Sequence, residues 1–309
     1  MVDLNSVLGE GVGIWRLGDD DALLAIVTSA NVACGFHAGD PSTMRRVSAS
    51  AADLGVRVGA QVSYRDLAGF GRRRIDVPTD ELTDELRYQI GALAAFGPVA
   101  YVKPHGALYN TAAIDEAHAA AVVEAAAAFA SVAIAPGGPL SAADGGARAP
   151  AGPLTTATAT PVETAGLPST ATTAGPSTPS SPGSPAGAAA GGGAGGLPVL
   201  CQPGSVLARL AAERGLRVVA EGFVDRGYLP DGRLVPRRRP GALVTDVGQV
   251  TARAIRMAIE GVVEAIDGTV IPMPVESLCV HGDTPGAVGM ARAVREGLLA
   301  AGVAVRPFV

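Results

Sequence analysis

The fold is decided by a unit that reads Ser29-Ala30-Asn31-Val32-Ala33-Cys34-Gly35-Phe36-His37-Ala38-Gly39-Asp40-Pro41. It joins an apolar run to a glycine-rich turn and then to a helix start, where Asp40 can cap the helix and Pro41 can occupy its first turn. An apolar strand that stops in such a turn is typical of α/β proteins, whose catalytic groups gather at the carboxyl ends of the strands. The unit therefore predicts a parallel sheet with a functional edge.

Outward from this unit, short apolar runs alternate with longer amphipathic stretches, a pattern that indicates βα repeats. The predicted strands are Val2–Asn5, Ser29–Cys34, Val56–Gln61, Val99–Lys103, Val132–Ala135, Val199–Gln202, Arg217–Gly222 and Ser277–His281. The predicted helices are Asp19–Val27, Pro41–Leu54, Thr79–Phe96, Ile114–Ala130, Gly204–Arg214, Asp246–Glu260 and Pro285–Ala301. Seven or eight such units predict a closed (β/α) barrel.

An open, doubly wound sheet is the alternative architecture. Such a sheet usually carries a phosphate-binding glycine turn after its first strand. The turn here, residues 8–13, contains glycines but matches neither nucleotide fingerprint in spacing, and no lysine follows it. The barrel is therefore favoured.

The segment from Gly137 to Leu197 differs in composition from the rest of the chain. It consists of Ala, Gly, Pro, Ser and Thr with few other residues, and it has no aromatic side chain. Such a stretch buries too little apolar surface to offset the entropy of ordering it. We predict a disordered insertion at 137–197 between a first part of the barrel at 1–136 and a second part at 198–309.

Composition excludes several classes of protein. The 309 residues carry a net charge of −5, and the arginines are dispersed apart from the runs 72–74 and 237–239, so nucleic acid is not an expected partner. No uninterrupted apolar stretch approaches the ~20 residues of a membrane span, and the amino terminus lacks a basic leader. Cys34, Cys201 and Cys279 have no disulfide spacing and fit buried, reduced thiols. We expect a cytoplasmic protein that does not contact a membrane.

Three of the four histidines share one local setting, at the end of an apolar run and close to a glycine. His37, His105 and His281 each follow a predicted strand, and Asp40, Lys103, Asn110 and Asp283 lie within five residues of them. His118 lies in an alanine-rich predicted helix and is given no role. The repeated setting predicts one shared site.

If the strand ends face one mouth, that mouth collects polar side chains from both halves of the chain. They are Asp3, Asn5, Glu10, Asn31, His37, Asp40, Gln61, Lys103, His105, Asn110, Glu221, Asp225, Arg226, His281 and Asp283. A carboxylate beside an imidazole suits general acid and base catalysis on a water, and a lysine or arginine can bind an anion. No Gly-x-Ser-x-Gly motif or cysteine nucleophile is present, which favours direct attack by water on an amide or ester.

Two other interpretations of these side chains stay open. Histidines and carboxylates from several strands could ligate a divalent metal ion. Asp40, Asp225 and Asp283 could instead cap helices or pair with arginines.

Several motifs together resemble one family. They are Asp3-Leu4-Asn5 with Gly9-Glu10, residues 28–41, Asp66-Leu67-Ala68-Gly69-Phe70-Gly71-Arg72-Arg73, residues 102–110, Phe223-Val224-Asp225-Arg226-Gly227-Tyr228 and Cys279-Val280-His281-Gly282-Asp283. The chain resembles the LamB/YcsF family at both ends, up to the insertion. The resemblance implies a barrel akin to the glycoside hydrolase/deacetylase barrels. It also implies ATP-dependent opening of the 5-oxo-L-proline lactam to L-glutamate, in the role of a 5-oxoprolinase A subunit that works with B and C subunits.

The resemblance leads to a hypothesis for the site. The catalytic set is His37, Lys103, His105, His281 and Asp283, in which His105 or His281 with Asp283 activates the water. The substrate-binding set is Asp3, Asn5, Glu10, Asn31, Asp40, Asn110, Glu221, Asp225 and Arg226. Lys103 and Arg226 stabilise anionic groups, and ATP is expected with Mg²⁺.

Two positions depart from the family pattern. The opening Asp-Leu-Asn-x-Asp ends here in Val7, and Gly-Ala-His-Pro reads Gly59-Ala60-Gln61-Val62. Both changes remove potential metal ligands, so we expect no tightly bound metal. The alternatives are a metal-dependent deacetylase or amidohydrolase, suggested by the barrel resemblance, and a non-catalytic binding subunit, suggested by Val7 and Gln61.

Overall fold

Seven parallel strands form a closed barrel in the structure, a computed structural model that describes residues 1–129, 195–284 and 286–309. The strands are β1 (Asp3–Leu8), β2 (Ser29–Ala33), β3 (Arg57–Val62), β4 (Tyr101–Pro104), β5 (Val199–Cys201), β6 (Val218–Phe223) and β9 (Ser277–Val280). β9 pairs with both β6 and β1, which closes the barrel. The predicted barrel is confirmed.

Helices alternate with the strands, as the βα pattern predicts. They are α1 (Asp20–Leu24), α2 (Pro41–Asp53), α3 (Thr79–Ala94), α4 (Gly106–Ala112), α5 (Glu116–Ala127), α6 (Val206–Glu213), α7 (Val247–Glu260) and α8 (Ala287–Ala300). Their apolar faces pack on the strands, and Leu23, Val47, Leu86, Val122 and Leu298 are fully or almost fully buried there. Burial of this apolar surface is the main stabilising term of the fold.

Helix starts follow the capping chemistry of the sequence. The Asp40 side chain accepts from the backbone N of Thr43 at 2.8 Å, and Pro41 occupies the first turn of α2. α4 starts directly after β4, with His105 at its N-cap position. A histidine at the junction of strand and helix is thereby held at the carboxyl end of the barrel.

The described elements differ from the predicted ones in a few places. β1 continues to Leu8 rather than ending at Asn5, and α1 ends at Leu24 rather than Val27. Helix α4 and a short antiparallel pair, β7 (Val262–Glu264) with β8 (Val270–Pro272), are additions to the predicted elements. β7 and β8 carry weak periodicity because they are short and partly exposed, whereas β1 is buried throughout, so its apolar pattern does not mark where it ends.

Two predictions fall partly or wholly outside the described residues. The predicted strand Val132–Ala135 and residues 137–194 of the predicted insertion lie outside the described residues. Among the described strands, β4 pairs directly with β5 through Val102 and Val199. The last residues of the predicted insertion, 195–197, are described, and Leu197 packs into the core with 1% of its surface exposed. The ordered second part of the barrel therefore begins before residue 198.

The three cysteines are buried and free of disulfides, as expected. None of the helices in the described ranges is long and apolar enough to cross a membrane.

Candidate active site

A cavity of about 1150 Å³ opens at the carboxyl ends of the barrel strands. Its wall includes the ends of β4 and β6, the loops that follow β3 and β4, and two arginine-rich segments. Of the predicted site residues, the cavity is lined by Glu10, Lys103, His105, Asn110, Arg226, His281 and Asp283. The two positions that depart from the family pattern, Val7 and Gln61, also line it.

His281 and Asp225 form a hydrogen-bonded pair at this cavity. The Asp225 carboxylate lies 2.9 and 3.0 Å from His281 Nδ1 and also accepts from the His281 backbone N at 3.1 Å. Because a carboxylate can only accept, Nδ1 donates its proton to Asp225, and Nε2 is the ring nitrogen that this bond leaves available. The ring also stacks on Phe223, with centroids 5.4 Å apart. These contacts fix the orientation of the imidazole.

The partner of His281 is Asp225 and not Asp283, which corrects the predicted pairing. The sequence places Asp225 in the substrate-binding set, but both of its oxygens face His281. Burial alone would raise the pKa of the Asp225 carboxyl, but the charge and hydrogen bonds of His281 outweigh it and hold that pKa below its ordinary value. Asp225 is thus a carboxylate that orients His281.

Asp283 lies between two arginines. It accepts from Arg72 Nη2 at 2.6 Å and lies 3.4 Å from Arg237 Nη2. Burial opposes the charge on Asp283, yet Arg237, His281 and Arg72 together hold the pKa of this carboxyl below its usual range. Asp283 therefore stays ionised and ties the two arginine-rich segments together at the cavity.

Glu10, His37 and His105 form a second cluster. Their side chains bring one nitrogen or oxygen each to within 4.8 Å of one another, and all three residues are buried. The two imidazole rings stack with centroids 4.0 Å apart, and Glu10 Oε1 lies 3.8 Å from His105 Nδ1. The structure thereby brings together two histidines that lie 68 positions apart in the sequence.

The turn at Phe70 and Gly71 supports this cluster. The Phe70 carbonyl accepts from His105 Nε2 at 3.0 Å, and its ring packs edge-on against both imidazoles. Phe70 has a φ of 56°, a left-handed conformation that is unusual for a bulky side chain. Gly71 follows with a φ of 63°, and a Cβ there would lie 2.9 Å from atoms of both His37 and His105. The cluster depends on this strained turn.

Burial sets the protonation of the cluster. It lowers the pKa of His37 to about 3 and that of His105 well below its ordinary value, where the neighbouring His37 also contributes. Burial, reinforced by Asp283, raises the pKa of Glu10 to about 8. At neutral pH both histidines are therefore uncharged, and Glu10 holds its proton.

Lys103 lies at the floor of the cavity and is already paired. Its Nζ donates to Glu221 Oε1 at 2.5 Å, to Cys279 Sγ at 3.2 Å and to Asn5 Oδ1 at 3.3 Å. Burial opposes its charge, but Cys279 and Glu221 outweigh that effect and raise the pKa of Lys103. The sequence predicts that Lys103 stabilises an anionic group, and in the structure Glu221 already balances its charge.

Four residues of the predicted substrate-binding set form a polar network inside the barrel instead. They are Asp3, Asn5, Asn31 and Glu221, and none of them lines the cavity. Asn5 bonds to Glu221 and Ser277, and Asn31 bonds to Asn5 at 2.7 Å. The misplacement follows from β1, because a strand that runs to Leu8 leaves Asp3 and Asn5 below the mouth.

The side chains of Asp40, Asn110 and Arg226 also form hydrogen bonds with backbone groups of the protein. Asp40 caps α2 and accepts from the Gly13 backbone N at 2.6 Å, so its predicted role in substrate binding gives way to capping. Asn110 is an exposed residue of the cavity wall that donates to Gly106 O. Arg226 donates to the carbonyls of Ala242 and Val235, which orders the segment after β6.

Sequence reasoning missed Arg72, Arg237 and Phe70 as residues of the site. The two arginines belong to the runs 72–74 and 237–239, and every member of both runs lines the cavity. Their convergence was not readable from the sequence because about 160 residues separate the runs. The only signal for Phe70 was its place beside a glycine in the quoted motif.

Together these features define a class of protein, a parallel (β/α) barrel with histidine, carboxylate and arginine side chains around a cavity at the carboxyl ends of its strands. The sequence profile described as the LamB/YcsF family matches residues 2–152 and 190–309. The chain belongs to the LamB/YcsF family.

Its relatives include proteins named as the A subunit of 5-oxoprolinase. The chain is 50% identical over 312 residues to that of Mycobacterium avium (strain 104), covering 99% of this chain and 98% of the relative. It is 49% identical over 313 residues to that of Streptomyces coelicolor, covering 100% of both. A solved structure, the lactam utilization protein from Thermus thermophilus, is 36% identical with a TM-score of 0.74 and 99% coverage of each chain.

Proposed function

We propose that this chain is the A subunit of a bacterial 5-oxoprolinase. It opens the lactam of 5-oxo-L-proline by attack of water, in an ATP-dependent reaction that requires B and C subunits and Mg²⁺. The names of the relatives support the substrate and the assembly. The observation that carries the proposal is the His281–Asp225 pair at the wall of an arginine-lined cavity.

His281 is the general base in this proposal. With Nδ1 bonded to Asp225, Nε2 takes a proton from the attacking water, and the Asp225 carboxylate stabilises the imidazolium that forms. The proton then passes from Nε2 to the lactam nitrogen as the ring C–N bond breaks. One base thus serves both halves of the reaction without a covalent intermediate.

Arginines supply the positive charge that the substrate needs. 5-Oxo-L-proline carries a carboxylate, and a phosphoryl group placed on its carbonyl oxygen by ATP would add more negative charge. Opening of the phosphorylated ring would leave an acyl phosphate of glutamate, from which a second water releases inorganic phosphate. Arg72 and Arg237 flank Asp283, and Arg73, Arg74, Arg238 and Arg239 also line the cavity. Guanidinium groups bind carboxylate and phosphate oxygens in paired hydrogen bonds. We assign the ATP step to the complex and not to a residue of this chain.

The test is release of L-glutamate and ADP from 5-oxo-L-proline and ATP. We expect equal amounts of both products when the chain is co-purified with its B and C subunits, and no glutamate from the chain alone. His281→Gln should lower kcat by about 100-fold or more, because it removes the general base. The control is His118→Gln, which changes a buried histidine of α5 outside the cavity wall.

Two outcomes contradict different parts of the proposal. No turnover in a verified complex would overturn the function and favour a non-catalytic subunit, with Val7 and Gln61 as the first positions to revert. Turnover that persists in His281→Gln would keep the function but reject His281 as the base.

A further inference from the structure

The cluster of Glu10, His37 and His105 has no part in the water activation described above, yet its geometry is specific. All three residues are buried, and one donor atom of each lies within 4.8 Å of the other two. Two imidazoles and one carboxylate form the ligand set of many catalytic zinc sites and of some iron sites. We propose that these three side chains bind a divalent transition-metal ion of the zinc class.

Binding of a small ion requires the three donor atoms, which lie within 4.8 Å of one another, to move closer together. Glu10 Oε1 and His105 Nδ1 lie 3.8 Å apart. Two ligands of a tetrahedral zinc ion, each at about 2.0–2.1 Å, are separated by roughly 3.4 Å. The two groups therefore need to approach each other by about 0.4 Å, which a glutamate side chain achieves by small torsional changes.

His105 has the orientation of a metal ligand. Its Nε2 donates to the Phe70 carbonyl at 3.0 Å, which places the proton on Nε2 and leaves the Nδ1 lone pair on the side of Glu10. Metal-binding histidines usually donate their second ring N–H to a backbone carbonyl or a carboxylate in this way. The left-handed turn at Phe70 aims that carbonyl at the ring.

His37 supplies an independent observation. It is fully buried, and neither of its ring nitrogens makes a hydrogen bond of normal geometry among the described residues, although the side chain of Gln61 lies beside it. Buried polar atoms are nearly always satisfied, and an imidazole with two unsatisfied nitrogens is costly. A metal ion bound by one nitrogen accounts for a histidine that stacks on His105 beside Glu10.

The site also has an open side. Glu10 and His105 line the cavity, whereas His37 lies behind them. A metal ion held by three protein ligands would present its remaining position to the cavity contents, as catalytic sites do. The sequence predicted no tightly bound metal because Val7 and Gln61 replace potential ligands, but the proposed site uses neither position.

The test measures binding and needs no turnover, so its result does not depend on the proposed function. The full chain is treated with a chelator, dialysed and titrated with Zn²⁺ by calorimetry, and its zinc content after gel filtration is measured by mass spectrometry. We expect close to one ion per chain. Co²⁺ in place of Zn²⁺ should give a visible absorption band characteristic of nitrogen and oxygen ligands.

Matched variants locate the site. Glu10→Gln and His37→Gln should each raise the Kd for Zn²⁺ by about 100-fold or more, because loss of an outer-shell partner alone costs about 10- to 100-fold. His118→Gln, at a buried histidine outside the cluster, and His281→Asn, at a histidine of the same cavity, should leave the Kd unchanged. Near-ultraviolet circular dichroism confirms that each variant is folded, and Glu10→Gln decides the outcome if His37→Gln is not.

The proposal is wrong if the unsubstituted chain binds no stoichiometric Zn²⁺. It is also wrong if folded Glu10→Gln binds as tightly as the unsubstituted chain, or if His281→Asn is the variant that loses the ion.

Discussion

Gly71 shows how tightly the site is packed at the scale of one residue. Its φ is 63°, and an added Cβ would lie 2.5 Å from Ser63 Oγ and 2.9 Å from His105 Cδ2 and His37 Cβ. We predict that Gly71→Ala lowers the free energy of unfolding by about 2–5 kcal/mol, through left-handed strain and overpacking together. Urea denaturation measures the change.

Gly55 is the matched control for this residue. It has a φ of 69°, but nothing lies within 4 Å of an added Cβ. Gly55→Ala should therefore cost only the strain term, about 1–2 kcal/mol. Equal losses in the two variants would show that Gly71 is required for its backbone conformation alone and not for the space beside the histidines.

At the scale of elements, the sequence predicts which strands carry the histidines but not how their ends meet. His37, His105 and His281 each follow a strand, as the apolar runs indicate. Asp225 as the partner of His281 was not predictable, since 56 residues separate the two and the order of the strands does not determine which side chains at their ends touch. The predicted end of β1 is three residues too early. This error alone places Asp3 and Asn5 at the mouth in the prediction, whereas in the structure they lie in the interior.

The junction of β6 and β9 gives a prediction at this scale. Asp225→Asn keeps the size of the side chain but replaces an acceptor with a group that can donate to His281 Nδ1, which favours the wrong tautomer. Under the proposed function, kcat should fall by about 100-fold or more with little change in KM. Steady-state kinetics of the complex measures both, with Asp267→Asn in an exposed turn as the control. An unchanged kcat would reject the orienting role of Asp225.

For the whole molecule, the barrel closes around a charged interior. Asp3 accepts from Thr28 and Ser29 on one side and from Ser277 on β9 on the other, so it joins the first strand to both of its neighbours. Lys103 and Glu221 form a buried ion pair nearby. Removing one member of such a pair costs about 3–5 kcal/mol because the other charge is left buried. The interior therefore makes the stability of the barrel depend on protonation.

Asp3 sets the direction of that dependence. Burial raises the pKa of Asp3 from 3.8 to about 6. Hydrogen bonds from three hydroxyl groups lower this pKa, and the charge of Glu221 raises it further. Between these values the folded state keeps a proton that the unfolded state has lost, so the unfolding free energy falls as pH rises from about 4 to about 6. The shift corresponds to roughly 3 kcal/mol of unfolding free energy. Asp3→Asn should reduce the difference between the unfolding free energies at pH 4 and pH 7 by that amount, as measured by urea titration.

Asp66 provides a control of opposite sign. Hydrogen bonds from Arg73 and from the Gly69 backbone hold the pKa of its carboxyl below the ordinary value. Its contribution to stability is present at neutral pH and is lost as the solution is acidified, so Asp66→Asn should lower stability at pH 7 more than at pH 4. If Asp3→Asn and Asp66→Asn changed the pH profile in the same direction, the buried carboxylate of Asp3 would be ionised in the folded protein. Lys103 would then balance the carboxylate of Asp3 in addition to that of Glu221.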